Sequence, residues 1–196
     1  IDYRLTHVAS WPAQMDDCRA AVRWLRANAA KYGLDAAHVA VAGGSAGAHL
    51  AAVLGTSDAP EGESASSRVQ AVLDLYGPSD LLTMPNNLAG PHKTDEMLAA
   101  TNGAKLLGGI VRDRPAIAKA GSALHQVSRD DPPFLILHGD KDPQVPLEQS
   151  QRLHARLQEA GVASELHVVP GAGHGGKEFS TPEMRERIRT FLKRAL

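Results

Sequence analysis

Apolar positions in this chain form two kinds of run, short continuous ones of strand length and longer ones spaced at three and four residues, and the two kinds alternate along the sequence. That alternation predicts an α/β domain built on a mostly parallel sheet. "IDYRL" (1–5) reads as the end of a strand. After Trp11-Pro12, Met15, Cys18, Val22, Leu25 and Ala29 share one helical face, and Gly33 supplies a stop. "HVAVAG" (38–43) reads as a short buried strand, "AHLAAVLG" (48–55) as the helix after it, and "RVQAVLDLYG" (68–77) as the next strand. "PPFLILHG" (132–139) and "SELHVVPG" (164–171) are the last two strands, joined by a helix over 147–161. Thr181, Pro182 and Glu183 start a final helix. Residues 57–67 read as a polar surface loop. From Pro78 to about Val127 the periodicity dissolves into prolines, glycines and two short helical patterns. That stretch predicts a cap-like excursion over the sheet's edge within a single domain of residues 1–196.

One junction carries chemistry. Gly43-Gly44-Ser45-Ala46-Gly47 fits G-x-S-x-G at the point where a buried strand passes into a helix. Such a turn strains the serine backbone and aims Oγ out of the sheet, and a side chain two positions to either side is expected to collide, hence Gly43 and Gly47. Ala46, with Gly44 beside it, is expected to offer oxyanion and substrate-binding backbone at the helix N-terminus. The pentapeptide alone equally fits a tight turn with a serine N-cap. A serine nucleophile needs a base, and the base needs an acid. "DKDPQVP" places Asp140 and Asp142 just past one strand end, and "PGAGHGG" places His174 just past the next. Spacing leaves both aspartates open. The order serine, aspartate, histidine is that of α/β-hydrolases.

Composition narrows the classes. Among 196 residues, 21 lysines and arginines stand against 22 acidic residues, so no net field exists to gather nucleic acid or an anionic membrane. No apolar run approaches a membrane span. The sequence begins at Ile1 without a methionine or a leader pattern, so localisation is not readable from it. Cys18, the lone cysteine, reads as core, and no metal-ligand spacing occurs. Two tryptophans, three tyrosines and three phenylalanines give no platform for stacking sugars or bases. His49 and His138 read as packed or hydrogen-bonded structural histidines. For Asp74 and Tyr76, near the expected active face, a structural role is favoured over substrate contact.

The elbow, "YGPSDL", "FLILHGDKDPQVPLEQS" and "GAGHGG" together resemble the α/β-hydrolase esterases related to hormone-sensitive lipase and to acetyl or feruloyl esterases. The resemblance covers nearly the whole chain. It implies the α/β-hydrolase fold, with helices on both faces of the sheet. The family's G-x-x-D-x-x-V maps onto Gly139, Asp142 and Val145, which makes Asp142 the acid and leaves Asp140 to brace the turn. The implied chemistry is ester hydrolysis through an acyl-enzyme, without metal or organic cofactor. The implied substrates carry small acyl groups, with acetyl or feruloyl esters of plant polysaccharides as candidates. The family's glycine-rich "HGG" loop has no counterpart here, and "IDYRL" resembles the family's fourth strand. The reading is therefore of a chain truncated at its N-terminus and lacking three strands, with an exposed edge at "HVAVAG" that invites self-association. The alternatives are a serine peptidase or arylformamidase on the same fold, or a non-catalytic remnant.

Overall fold

The continuous apolar runs become neighbours in one sheet because each must bury both of its faces. The computed structural model describes residues 1–58 and 66–196. Its elements are α1 (Ala13–Tyr32), β1 (Ala40–Gly44), α2 (Ala46–Thr56), β2 (Ala71–Leu75), α3 (Asp95–Ala99), α4 (Asn102–Leu107), α5 (Pro115–Ala120), β3 (Phe134–Gly139), α6 (Leu147–Glu159), β4 (Ser164–Val169) and α7 (Pro182–Ala195). The four strands are parallel and lie in chain order, β1-β2-β3-β4.

Alternation along the central strands divides the core in two. Val72, Phe134 and Ile136 face α1, α2 and α6, where Met15, Val22, Leu50, Val53, Leu153 and Leu157 pack. Ala71, Leu73, Leu135 and Leu137 face the other way, onto Phe179, Met184 and Phe191 at and around α7. The predicted caps are in place: Gly33 closes α1 in the left-handed region at φ 65°, and the Thr181 hydroxyl accepts the Met184 N–H at the start of α7. Cys18 is buried, and burial pushes its thiol up to about 11.

Three expectations need correction. "IDYRL" is not a strand. Its backbone is claimed by side chains of α1 instead: the Arg4 N–H donates to Asp17, whose carboxylate also binds the Arg4 guanidinium at 2.8 Å, and Gln14 Nε2 donates to the Arg4 carbonyl. "HVAVAG" is not buried. Among the described residues β1 pairs with β2 alone, and Ala40, Ala42 and Gly44 are exposed. Between β2 and β3 lie three short α-helices and three 3-10 turns (Pro85–Asn87, Val111–Asp113, Ala123–His125) rather than two helical patterns. Weak periodicity hides elements of three to six residues. This stretch is latched to α6, where Gln149 Oε1 accepts the N–H groups of Ser79 and Asp80 and Arg152 reaches the buried Asp80 carboxylate at 3.2 Å. Of the predicted 57–67 loop, residues 59–65 lie outside the described residues.

Candidate active site

The C-terminal ends of the parallel strands bring three side chains to one point. Ser45 follows β1 with φ 54° and ψ −117°, one of two non-glycine residues with positive φ among the described residues. A Cβ at Gly43 would lie 2.2 Å from the Gly47 backbone, so glycine is obligatory there. Gly47 is different: a Cβ on it would meet nothing within 4 Å, and the expected collision on that side does not occur. Ala46 opens α2, where a backbone N–H has no intrahelical partner, and it lines the cleft. Gly44 does not line it, since the Tyr76 hydroxyl fills the space beside it, 2.9 Å from where a Cβ would be.

The Ser45 hydroxyl lies 2.7 Å from His174 Nε2, and His174 Nδ1 lies 2.7 Å from Asp142 Oδ2. Because the carboxylate only accepts, Nδ1 carries the hydrogen and Nε2 is left to accept from Ser45. Asp142 Oδ1 accepts the N–H groups of Gln144 and Val145 at 2.8 and 3.0 Å. Burial alone would raise the Asp142 pKa. The donors from Val145, His174 and Gln144 outweigh it and hold the carboxyl below its ordinary range. The Asp142 side chain is 0 % exposed and that of His174 11 %, so the acid is sealed while the imidazole reaches the cleft. Asp140 takes the other role expected of it, accepting the Gly171 N–H at 2.7 Å and tying the histidine loop to the end of β3.

The remaining singled-out residues pack and hydrogen-bond around these three. His49 is buried, donates to the Gly121 carbonyl at 2.6 Å and packs near Trp11, and burial lowers its pKa. Asp74 is buried on β2 and accepts one N–H, from Gly77 at 2.9 Å; burial pushes its carboxyl up to about 7. Tyr76, the second positive-φ residue at 49°, stands edge-on to the His174 ring with centroids 5.0 Å apart and leans on Phe179. Sequence reasoning placed Tyr76 near the site but not against the imidazole, because its direction depends on the left-handed turn after β2. His138 is fully buried, with ring contacts to Ser150, Val145 and Asp142.

Ser45, Ala46 and His174 open into a cleft of about 690 Å³. One wall comes from residues 3–6 and another from the segment between β2 and β3, including Asn86, Asn87, Thr101 and Asn102. Among the described residues no carboxylate lines it, and Tyr3 is the one tyrosine, phenylalanine or tryptophan that does. Among the described residues no group of three or more His, Cys, Asp or Glu side chains is placed to hold a metal ion, and no helix is long and apolar enough to cross a membrane.

Comparison with known proteins shows the family. The chain is 37% identical to Esterase LipQ of Mycobacterium tuberculosis over 98% of its own length and 46% of that protein's. It thus spans just under half the length of the curated relatives it matches. Among solved structures, a truncated form of a carbohydrate esterase from gut microbiota superposes with a TM-score of 0.88 at 33% identity, covering 100% of this chain and 72% of that one. An acetyl ester-xyloside bifunctional hydrolase from Caldicellulosiruptor lactoaceticus superposes with a TM-score of 0.75 at 26% identity, over 98% and 68% respectively. The family described as BD-FAE matches residues 1–157. With that match over most of its length and a parallel sheet covered by helices on both faces, the chain belongs to the BD-FAE family of α/β-hydrolase esterases.

Proposed function

We propose that this chain carries the active site of a serine carboxylic-ester hydrolase. The observation that carries the reading is the unbroken line Ser45 Oγ, His174 Nε2, His174 Nδ1, Asp142 Oδ2, with 2.7 Å at each hydrogen bond. In this reading His174 takes the Ser45 proton as Oγ attacks the ester carbonyl, and the C–O bond to the alcohol breaks as His174 returns the proton to it. Water then attacks the acyl-serine by the same route. Asp142 holds the imidazole in the tautomer that accepts from serine, and the Ala46 N–H stabilises the oxyanion.

The substrates we propose are small acyl esters, acetyl in particular, on a carbohydrate alcohol. Asparagine and threonine side chains along the cleft suit hydroxyl groups, and the two solved relatives named above are an esterase of carbohydrates and an acetyl ester-xyloside hydrolase. A feruloyl group would want an aromatic slot, and Tyr3 alone supports that less well. The exposed edge of β1 offers backbone groups to a strand of a second copy, which light scattering tests.

The deciding experiment is labelling with a fluorophosphonate probe, which reacts only with an activated serine. Labelling of the wild-type chain and none of Ser45→Ala is expected. A panel of p-nitrophenyl acetate, acetylated and feruloylated xylo-oligosaccharides, peptide amides and N-formylkynurenine then ranks substrates. An unlabelled wild-type chain overturns the reading in favour of a non-catalytic domain.

A further inference from the structure

We infer that His138 is a positioning residue for this site, holding Asp142 from behind while His174 engages it from the front. The inference rests on the roles proposed above for Ser45, His174 and Asp142.

His138 sits near the end of β3, immediately before Gly139, with none of its surface exposed. Its Nε2 lies 2.9 Å from the Val145 carbonyl oxygen and 3.3 Å from Asp142 Oδ2. Both are acceptors, so Nε2 must carry a hydrogen. Its Nδ1 lies 2.6 Å from the Ser150 hydroxyl on α6. Burial holds the His138 pKa below its ordinary range, so the ring is neutral and Ser150 donates to the bare Nδ1. The tautomer is thus the opposite of that of His174, which carries its hydrogen on Nδ1.

Two consequences follow from that pairing. Asp142 Oδ2 lies between two imidazoles, 2.7 Å from His174 Nδ1 and 3.3 Å from His138 Nε2, while Oδ1 takes two backbone N–H groups, so the carboxylate cannot rotate without disturbing four contacts at once. Val145 also closes a ring, because its N–H binds Asp142 and its carbonyl accepts from His138. The loop that presents the acid is thereby fastened to the strand behind it. A leucine of similar bulk would fill the space, leave the Val145 carbonyl without its donor and remove the polar edge that faces Asp142 Oδ2. Buried acceptors of this kind need their donor.

The test uses the whole chain with His138→Leu, His138→Gln and Ser150→Ala. Its readouts are kcat and KM on p-nitrophenyl acetate, the melting temperature, and the far-downfield proton resonance of the His174 Nδ1–H in the NMR spectrum. His138→Leu should lower kcat about 2- to 10-fold, the range that one neutral hydrogen bond corresponds to, at unchanged KM and with the resonance displaced. His138→Gln restores an N–H near the Nε2 position and should recover most of kcat. Ser150→Ala should lower kcat several-fold, with the resonance moved in the same direction. Should His138→Leu fail to fold, Ser150→Ala decides alone. A folded His138→Leu with wild-type kcat and an unmoved resonance overturns the inference, as does Ser150→Ala with both unchanged. If the wild-type chain does not label with fluorophosphonate, the proposed function falls. Displacement of the resonance by His138→Leu in a Ser45→Ala background still reads the hold on Asp142.

Discussion

At the end of β1 the chain places Ser45 by bending its backbone, and two strands away, at the end of β3, it places Asp142 by surrounding the side chain with donors. In its proposed role the serine hydroxyl must stay open to substrate, so little besides a left-handed backbone and an obligatory glycine at 43 can aim it. The aspartate, in its proposed role, does not meet substrate, and it can be sealed and saturated. Between them on β2, Asp74 is buried and, among the described residues, receives a single N–H. The contrast shows what surroundings do to a carboxyl. The donors around Asp142 outweigh its burial and hold it below the ordinary range, and around Asp74 burial outweighs its one donor and pushes the carboxyl up to about 7.

The largest effects should come from breaking the placed groups themselves. Ser45→Ala and His174→Ala should each lower kcat on p-nitrophenyl acetate by about 10⁴- to 10⁶-fold, and Asp142→Asn by about 10⁴, since the groups act as a unit. Asp140→Asn should cost no more than a few-fold, and the reverse ranking of the two aspartates would move the acid to Asp140.

The contrast between Asp142 and Asp74 is sharpened by pH. A carboxyl whose folded pKa is raised from 3.8 to about 7 keeps its proton in the folded state while the unfolded chain gives it up. Stability is therefore lost as pH rises through that window, by up to ~4 kcal/mol, and the loss levels off above it. Asp74→Asn should remove this slope, so its melting temperature relative to wild type climbs from pH 4.5 to pH 8. A constant difference across that range would show that Asp74 does not titrate as described. Asp142 has the opposite sign: its contribution is present above the ordinary carboxylate pKa and fades as pH falls below it.

The smallest effects test the backbone side. Gly43→Ala, which drives a Cβ into the Gly47 backbone, should destabilise by about 1–3 kcal/mol in urea titration and abolish labelling of Ser45. Gly47→Ala meets open space in the first turn of a helix and should stabilise by about 0.5–1 kcal/mol. Equal costs at the two glycines would mean that strain at Ser45 is not what Gly43 relieves.

Much of this was readable from residues alone, and the parts that were not share a cause. Ser45, Asp142 and His174 stand out because each follows a continuous apolar run, and the ends of parallel strands converge. Caps at Gly33 and Thr181 are local signals and fall where expected. Whatever depends on a partner distant in sequence escaped. His138 reads as an ordinary core histidine until α6 brings Ser150 to its ring, and Tyr76 becomes the wall of His174 only through its left-handed turn. "IDYRL" has a strand's composition, yet Asp17 and Gln14 claim its backbone. The segment 78–127 is made of turns too short to leave a period, and its latch to Gln149 and Arg152 is a tertiary fact.

Strand order that repeats chain order has a consequence for synthesis. Of these four strands the ribosome delivers β1 before the others, and each later one can dock beside the one just before it. Ser45 and its proposed base His174 are nevertheless 129 residues apart, and His174 lies on the loop after β4. Until the loop after β4 has emerged, a nascent chain holds Ser45 with no His174 imidazole beside it. With His174 as the proposed base, labelling of Ser45 would be a chemical report that β4 has joined these strands.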